Sequence, residues 1–176
     1  MGMKPGRCFH KKDKKPYTRI SEKNPRKSYI KGVPGSQIKQ FETGNKTKDF
    51  EVALDLYVKT EGQIRTNAIE SARLNANKYL LENLTEENYF LKILVYPHHV
   101  LRENTLATGP QADRYQDGMR KAFGKPINTA ARVDKNQSIL RVEVNENGVE
   151  AAKEALKRAG YKIPMSFGIK GLEKFL

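Results

Sequence analysis

Residues 51–84 read EVALDLYVKTEGQIRTNAIESARLNANKYLLENL, and inside this stretch the apolar period changes from two to nearly four. Val52, Leu54, Leu56 and Val58 alternate with Ala53, Asp55 and Tyr57, which predicts a half-buried strand over 51–59. Ile64, Ala68, Ala72, Ala76, Tyr79 and Leu80 then fall on one face of a helix running to about residue 84. Between the two, Thr60 and Gln63 stand at capping-box spacing and predict where the helix starts. A strand that feeds a long amphipathic helix, in a chain of 176 residues, points to one α+β domain.

N-terminal to this stretch, the turn Gly32-Val33-Pro34-Gly35 precedes a short strand predicted over 37–41. A second clear strand covers 89–96. Two more lie at 129–133 and 138–144, joined by a turn at 134–137. A second helix starts near Asn147, with Glu150 three residues on, and buries Val149, Ala152, Leu156 and Ala159. Gly160 is placed to end it, and a last strand follows over 161–167. The order strand, helix, strand, strand, helix, strand predicts an α+β sandwich of the split β-α-β kind.

The chain carries 33 Lys and Arg against 20 Asp and Glu, a net charge of +13. The charge is uneven: residues 1–31 hold 11 basic and 2 acidic side chains, whereas residues 51–100 hold 5 basic and 7 acidic. A field of that sign and size favours polyanions, nucleic acid first. The single cysteine excludes an internal disulfide framework and suits a reducing cytoplasm. Met1-Gly2-Met3-Lys4-Pro5 leads into charge, with no apolar segment of an export signal. The longest apolar run, Ile93-Leu94-Val95-Tyr96, falls far short of the roughly 20 residues that span a bilayer. The sequence therefore predicts a soluble protein with no membrane partner.

Residues 112–132 read ADRYQDGMRKAFGKPINTAAR, with Arg114, Arg120, Lys121, Lys125 and Arg132 set against Asp113 and Asp117. Gly118, Gly124 and Pro126 punctuate these cations, and Tyr115 and Phe123 add flat faces, a mixture suited to phosphates and stacked bases. It is not a nucleotide-binding loop. Five residues separate Gly118 from Gly124 where four are required, and Pro126 stands where a magnesium-binding hydroxyl belongs.

The block resembles the signature of a large-subunit ribosomal protein family, universal protein L-sixteen in its archaeal and eukaryotic L-ten-e form. The resemblance rests on Ala112-Asp113-Arg114, Gly118-Met119-Arg120, Ala122-Phe123-Gly124-Lys125-Pro126 and Ala131-Arg132-Val133. It extends in order to Arg7-Cys8, Lys15-Pro16-Tyr17, Gly32-Val33-Pro34, Ala72-Arg73, Ala76-Asn77-Lys78-Tyr79, and Pro97-His98-His99-Val100 with Arg102. One departure is Asn128, where relatives carry a small residue, often glycine; asparagine also tolerates a left-handed backbone. The resemblance implies an α/β-hammerhead-like sandwich, a mixed barrel-like sheet with two helices, plus an extended basic N-terminal arm. It implies a structural constituent of the large ribosomal subunit, seated below the central protuberance. There it would contact large-subunit rRNA, 5S rRNA and neighbouring ribosomal proteins, and help position A- and P-site tRNA near the peptidyl-transferase centre.

Residues 1–34 form the arm and 35–176 the globular domain. The arm interleaves Arg7, Lys11, Lys12, Lys14, Lys15, Arg19, Arg26, Lys27 and Lys31 with prolines and with Phe9, Tyr17 and Tyr29. Free in water such a segment cannot bury enough apolar surface to offset its chain entropy. Its plain reading is a solvated tail, but solubility needs neither the prolines nor the rings, and threading along RNA explains both. These nine cations, with Arg114, Arg120, Lys121, Lys125 and Arg132, are the candidate rRNA contacts. Residues 102–111 read on sequence alone as a mobile surface loop. The resemblance instead turns Arg102, Asn104, Thr105, Thr108, Gly109 and Gln111 toward tRNA.

Cys8 and His10 lack the further ligand pair a structural zinc needs. His98-His99 carries no metal-ligand pattern around it and reads as local packing. No catalytic constellation emerges, and neither a cofactor nor a small-molecule substrate is expected. An RNA-modifying enzyme or a free-standing RNA chaperone with a basic arm are the alternatives that composition leaves open.

Overall fold

The alternation at 52–58 becomes the middle of a sheet. The computed structural model describes residues 4–9, 11, 12, 24, 26, 28 and 30–173. Its strands are β1 (Glu42–Gly44), β2 (Val52–Val58), β3 (Gly62–Arg65), β4 (Tyr89–Ile93), β5 (His99–Glu103), β6 (Lys125–Val133), β7 (Ser138–Val144) and β8 (Phe167–Glu173). Its helices are α1 (Thr66–Asn83) and α2 (Val149–Gly160). The α+β class stands, with the strands divided between a five-stranded sheet, β1-β4-β7-β2-β8, and a three-stranded sheet, β3-β6-β5.

Helix α2 crosses from β7 to β8, and β2 lies between those two, antiparallel to both. This is the split β-α-β unit. The insertion explains why the expected mixed sheet is absent from the described residues: β7 and β8 run the same way but never pair, so every ladder is antiparallel.

Cross-strand rows form the inner face of the large sheet. Leu91, Val142 and Leu54 stand opposite one another, as do Ile93, Leu140 and Leu56, all at most 4% exposed. Burying these side chains against the helices supplies the main driving force of the fold. Ala72 and Ala76 on α1 and Ala152, Ala155 and Ala159 on α2 are buried, and their small size lets the two helices pack closely. On the outer face the same registers align Glu42, Lys92, Arg141, Asp55 and Lys170 in one charged row. Asp55 is buried and accepts two hydrogen bonds from Arg141, at 2.8 and 3.1 Å. Lys46 and Lys92 hold the Glu42 carboxyl down at about 2. Its contribution is therefore present above the ordinary carboxylate range and is lost as pH falls toward 2.

Several expectations shift, each for a local reason. The first strand lies at 42–44 rather than 37–41: Ile38 turns back through a bond from its N–H to Ser36 Oγ, and regular pairing begins only after the Phe41 carbonyl has accepted Ile93 N–H. Gln63 and Ile64 do not open the helix, because 62–65 pairs with β6 as β3. Helix α1 begins at Thr66, and its N-cap, Arg65, makes no capping bond through its side chain. The last strand starts where it was expected to end, since Lys162 and Ile163 donate back to Ala159 and Gly160 and prolong the turn after α2.

Gly160 ends α2, as expected. It is glycine for space: a Cβ there would sit 2.4 Å from the Phe167 ring. Gly160→Ala should therefore destabilise by about 1–3 kcal/mol, and combining it with Phe167→Leu should recover part of the loss. Equal midpoints for the wild type and the single variant in a urea titration would contradict this.

Candidate nucleic-acid interface

The small sheet mounts the charged segments. Strands β5 and β6 pair with Arg102 opposite Pro126 and Glu103 opposite Lys125, with a bulge between Leu101 and Arg102. They form a hairpin whose connection is residues 104–124. So Arg102, expected in the loop, belongs to a strand, and β5 itself was not foreseen. Five residues with one polar–apolar swap leave too little periodicity to find it.

The connection is built on its own backbone. Asn104 Nδ2 donates to the carbonyls of Gly118 and Lys121, at 3.3 and 3.4 Å, which ties the start of the loop to the middle of the block. Gln116 Nε2 reaches the Ala107 carbonyl at 3.2 Å. Gln111 takes a left-handed φ of 64°, and Gly118 one of 57°, at the entries to two short 3-10 turns, Ala112–Arg114 and Gly118–Lys121. Gly124 closes the connection: a Cβ on it would lie 2.6 Å from the Glu103 carbonyl carbon and 2.9 Å from Asn104 N. Thr105, Thr108, Gly109 and Gln111 are all exposed, while Asn104 is half-buried and serves the loop's own architecture.

The block displays its cations outward. Arg114, Arg120, Lys121, Lys125 and Arg132 are exposed, together with Tyr115, Met119, Phe123 and Ile127. Among the described residues no carboxylate pairs with Arg114, Arg120, Lys125 or Arg132, whereas Lys121 meets Asp117 at 2.6 Å. The Arg102 guanidinium lies 4.2 Å from the centre of the Phe123 ring, so the base of the loop is braced by a cation on an aromatic face.

The described part of the arm folds back onto this sheet. Residues Gly6–Cys8 make a 3-10 turn. Lys4 pairs with Glu103 at 2.7 Å, Arg65 donates to the Lys4 carbonyl at 2.7 Å, and the Arg65 guanidinium sits over Phe9. Gln63 Nε2 donates to the Lys11 carbonyl, and Lys12 pairs with Asp134 and Glu61. Arg7, Lys11, Arg102, Gln63, His99 and Asn104 thereby line one cleft of about 700 Å³. Arg26 and Lys31 are exposed and stand apart from it; Lys14, Lys15, Arg19 and Lys27 lie outside the described residues. Gln63 and Phe9 were not foreseen as parts of this site. The ring pattern of the arm is the one signal for Phe9, and the spacing of Gln63 from Thr60 points to a cap instead.

His99 is buried in β5 and His98 packs its ring 4.4 Å from Tyr96, which in turn stacks on Phe41. Asn128 does not use its tolerance of a left-handed backbone. It is a buried strand residue whose Oδ1 accepts from Thr66 Oγ1 at 2.6 Å and from Thr129 N–H, joining β6 to the start of α1.

A cleft that holds Arg7, Lys11 and Arg102 thus lies beside an exposed, glycine-shaped basic loop. Comparison with known proteins identifies the setting. Residues 13–170 match the model of the family described as ribosomal protein L16p/L10e. The chain belongs to that family. It is 50% identical to the large ribosomal subunit protein uL16 of Staphylothermus marinus over 165 residues, which cover 94% of this chain and 91% of that protein. It is 46% identical to the uL16 of Methanocella arvoryzae over 169 residues (96% and 94%) and 46% identical to that of Hyperthermus butylicus over 170 residues (94% and 91%). Members of the L16p/L10e family are structural constituents of the ribosome rather than enzymes, which removes the RNA-modifying alternative. Among the described residues no helix is long and apolar enough to cross a membrane.

Proposed function

We propose that the chain is an rRNA-bound constituent of the large ribosomal subunit in the cytoplasm, and that its small sheet is the docking face. The observation that carries this reading is the hairpin of β5 and β6. It holds an exposed loop on a rigid base and displays Arg114, Arg120, Lys125 and Arg132, which no acid neutralises among the described residues. Large-subunit rRNA and neighbouring ribosomal proteins surround it. 5S rRNA lies in contact, and residues 104–111 reach toward A- and P-site tRNA near the peptidyl-transferase centre. The two-sheet core then works as an α/β-hammerhead-like spacer, with residues 1–34 extended along RNA grooves.

Self-pairing of the arm fits this role. The Lys12 contact to Asp134 and Glu61 is exposed on the carboxylate side, and such pairs are worth about 0–1 kcal/mol. A phosphate can displace them at little cost. The arm is held near its site without being locked there.

Sedimentation of lysate through a high-salt gradient tests the assignment: the chain should travel with the large subunit, and recovery at the top of the gradient would overturn it. Removing residues 1–12 should also flatten the dependence of log affinity for rRNA on log salt, by about 0.7–0.9 for each phosphate the arm neutralises. An unchanged slope would show that the arm touches no phosphate.

A further inference from the structure

Gln63 also lines a second groove, of about 340 Å³, between the first turns of α1 and the segment that follows α2. Arg65, Asn67, Ser71, Tyr161 and Lys162 line it, and no carboxylate does among the described residues. The hollow beside Gly44 differs in this respect, being walled by Glu86 and Glu87. Lys162 is exposed and has no acidic partner among the described residues. Arg65 is fixed at the edge by its bond to the Lys4 carbonyl and its contact with Phe9. Tyr161 is 67% exposed, and the edge-on contact of its ring with Phe167, at 5.8 Å and 82°, holds it in place. Helix α1 starts here, and its N-cap Arg65 makes no capping bond through its side chain.

Gln63 gives a separate indication. It is 4% exposed, its Nε2 is engaged by the Lys11 carbonyl, and its Oε1 is buried with no partner among the described residues. A buried acceptor left unpaired calls for a donor. Ionised phosphate brings none, but a ribonucleotide brings its 2′-hydroxyl and the amino groups of its base.

We propose that this groove is a second RNA site, which takes one unpaired nucleotide of ribosomal RNA. Its phosphate rests on Lys162 and Arg65 at the start of α1, and its base stacks on Tyr161. The proposal rests on the rRNA-binding reading above but concerns a face that the loop of residues 104–124 does not supply.

The test is photo-crosslinking of the full chain to large-subunit rRNA transcribed with 4-thiouridine. Crosslinked peptides should include residues 161–164 as well as 112–132. Lys162→Gln should lower the groove crosslink about fivefold at 0.1 M salt, the effect of neutralising one single-strand phosphate. Tyr161→Ala should lower it about tenfold, the scale of one base stack, and Tyr161→Phe, which keeps the ring, should retain it. Crosslinks in 112–132 with none in 161–164 would overturn the groove and leave the ribosomal reading intact; crosslinks in neither would overturn both. Full competition by millimolar inorganic phosphate would mark a plain anion site and also overturn the proposal, as would an equal loss in Tyr161→Phe and Tyr161→Ala.

Discussion

Gly124→Ala should cost about 3 kcal/mol and detach the loop from its base, whereas Gly109→Ala should be nearly silent. The three glycines of the connection differ in what an added methyl meets. At Gly109 nothing lies within 4 Å and φ is not positive, so alanine fits. At Gly118 the space is equally open, but φ is 57°, and a left-handed non-glycine residue costs roughly 1–2 kcal/mol. At Gly124 the methyl would lie 2.6 Å from the Glu103 carbonyl carbon and 2.8 Å from its nitrogen. These are backbone atoms of the paired strand, so no side chain can swing away. Relief requires opening the β5–β6 pair where Glu103 meets Lys125 and breaking the Asn104 bonds to the Gly118 and Lys121 carbonyls. For a domain of this size, 3 kcal/mol lowers the melting temperature by about 6–12 °C. Thermal unfolding of the three variants should rank them Gly109, Gly118, Gly124. A Gly124→Ala midpoint equal to that of Gly109→Ala would show that the loop base is not held as described.

The same glycine shows what a sequence can disclose. Gly124 was legible only as punctuation among the cations; the strand it packs against was not, because Glu103 lies across a long connection. Strand β2 and helices α1 and α2 were legible because each keeps one period over at least seven residues. Strands β3 and β5, at four and five residues, do not. Asp55 read as the solvent side of an alternating strand and is instead buried, since its partner Arg141 arrives from another strand 86 residues away. Likewise the cations of the interface were plain in the composition, but which of them are already paired was not. Lys12 and Asp134 are 122 residues apart, and only the fold brings them together.

That distinction between paired and unpaired cations sets the second large effect. Arg120 and Lys125 are exposed, have no acidic partner among the described residues, and flank the contact of Phe123 with Arg102. Each neutralised phosphate contributes about 0.7–0.9 to the log–log salt slope, or roughly five- to eightfold in affinity at 0.1 M salt. Removing two such cations costs about 30-fold, and reversing both charges adds repulsion. Arg120→Glu combined with Lys125→Glu should therefore lower rRNA affinity at least about 30-fold and reduce the slope by about 1.4–1.8. Lys121→Gln should do less than either single neutral change, Arg120→Gln or Lys125→Gln. To reach a phosphate Lys121 must first leave Asp117 at 2.6 Å, so less of its charge is free for the RNA. Lys170→Glu, on the outer face of the large sheet next to Asp55, changes the net charge by the same amount per residue but lies away from the hairpin. It serves as the control for the long-range field alone. Filter binding of these variants to large-subunit rRNA across a salt series separates the two causes. If Lys170→Glu lowers the slope as much as one reversal in the block, binding follows net charge and the hairpin has no special place. If the block variants alone lower it, the phosphates sit where Gly124 lets the chain turn.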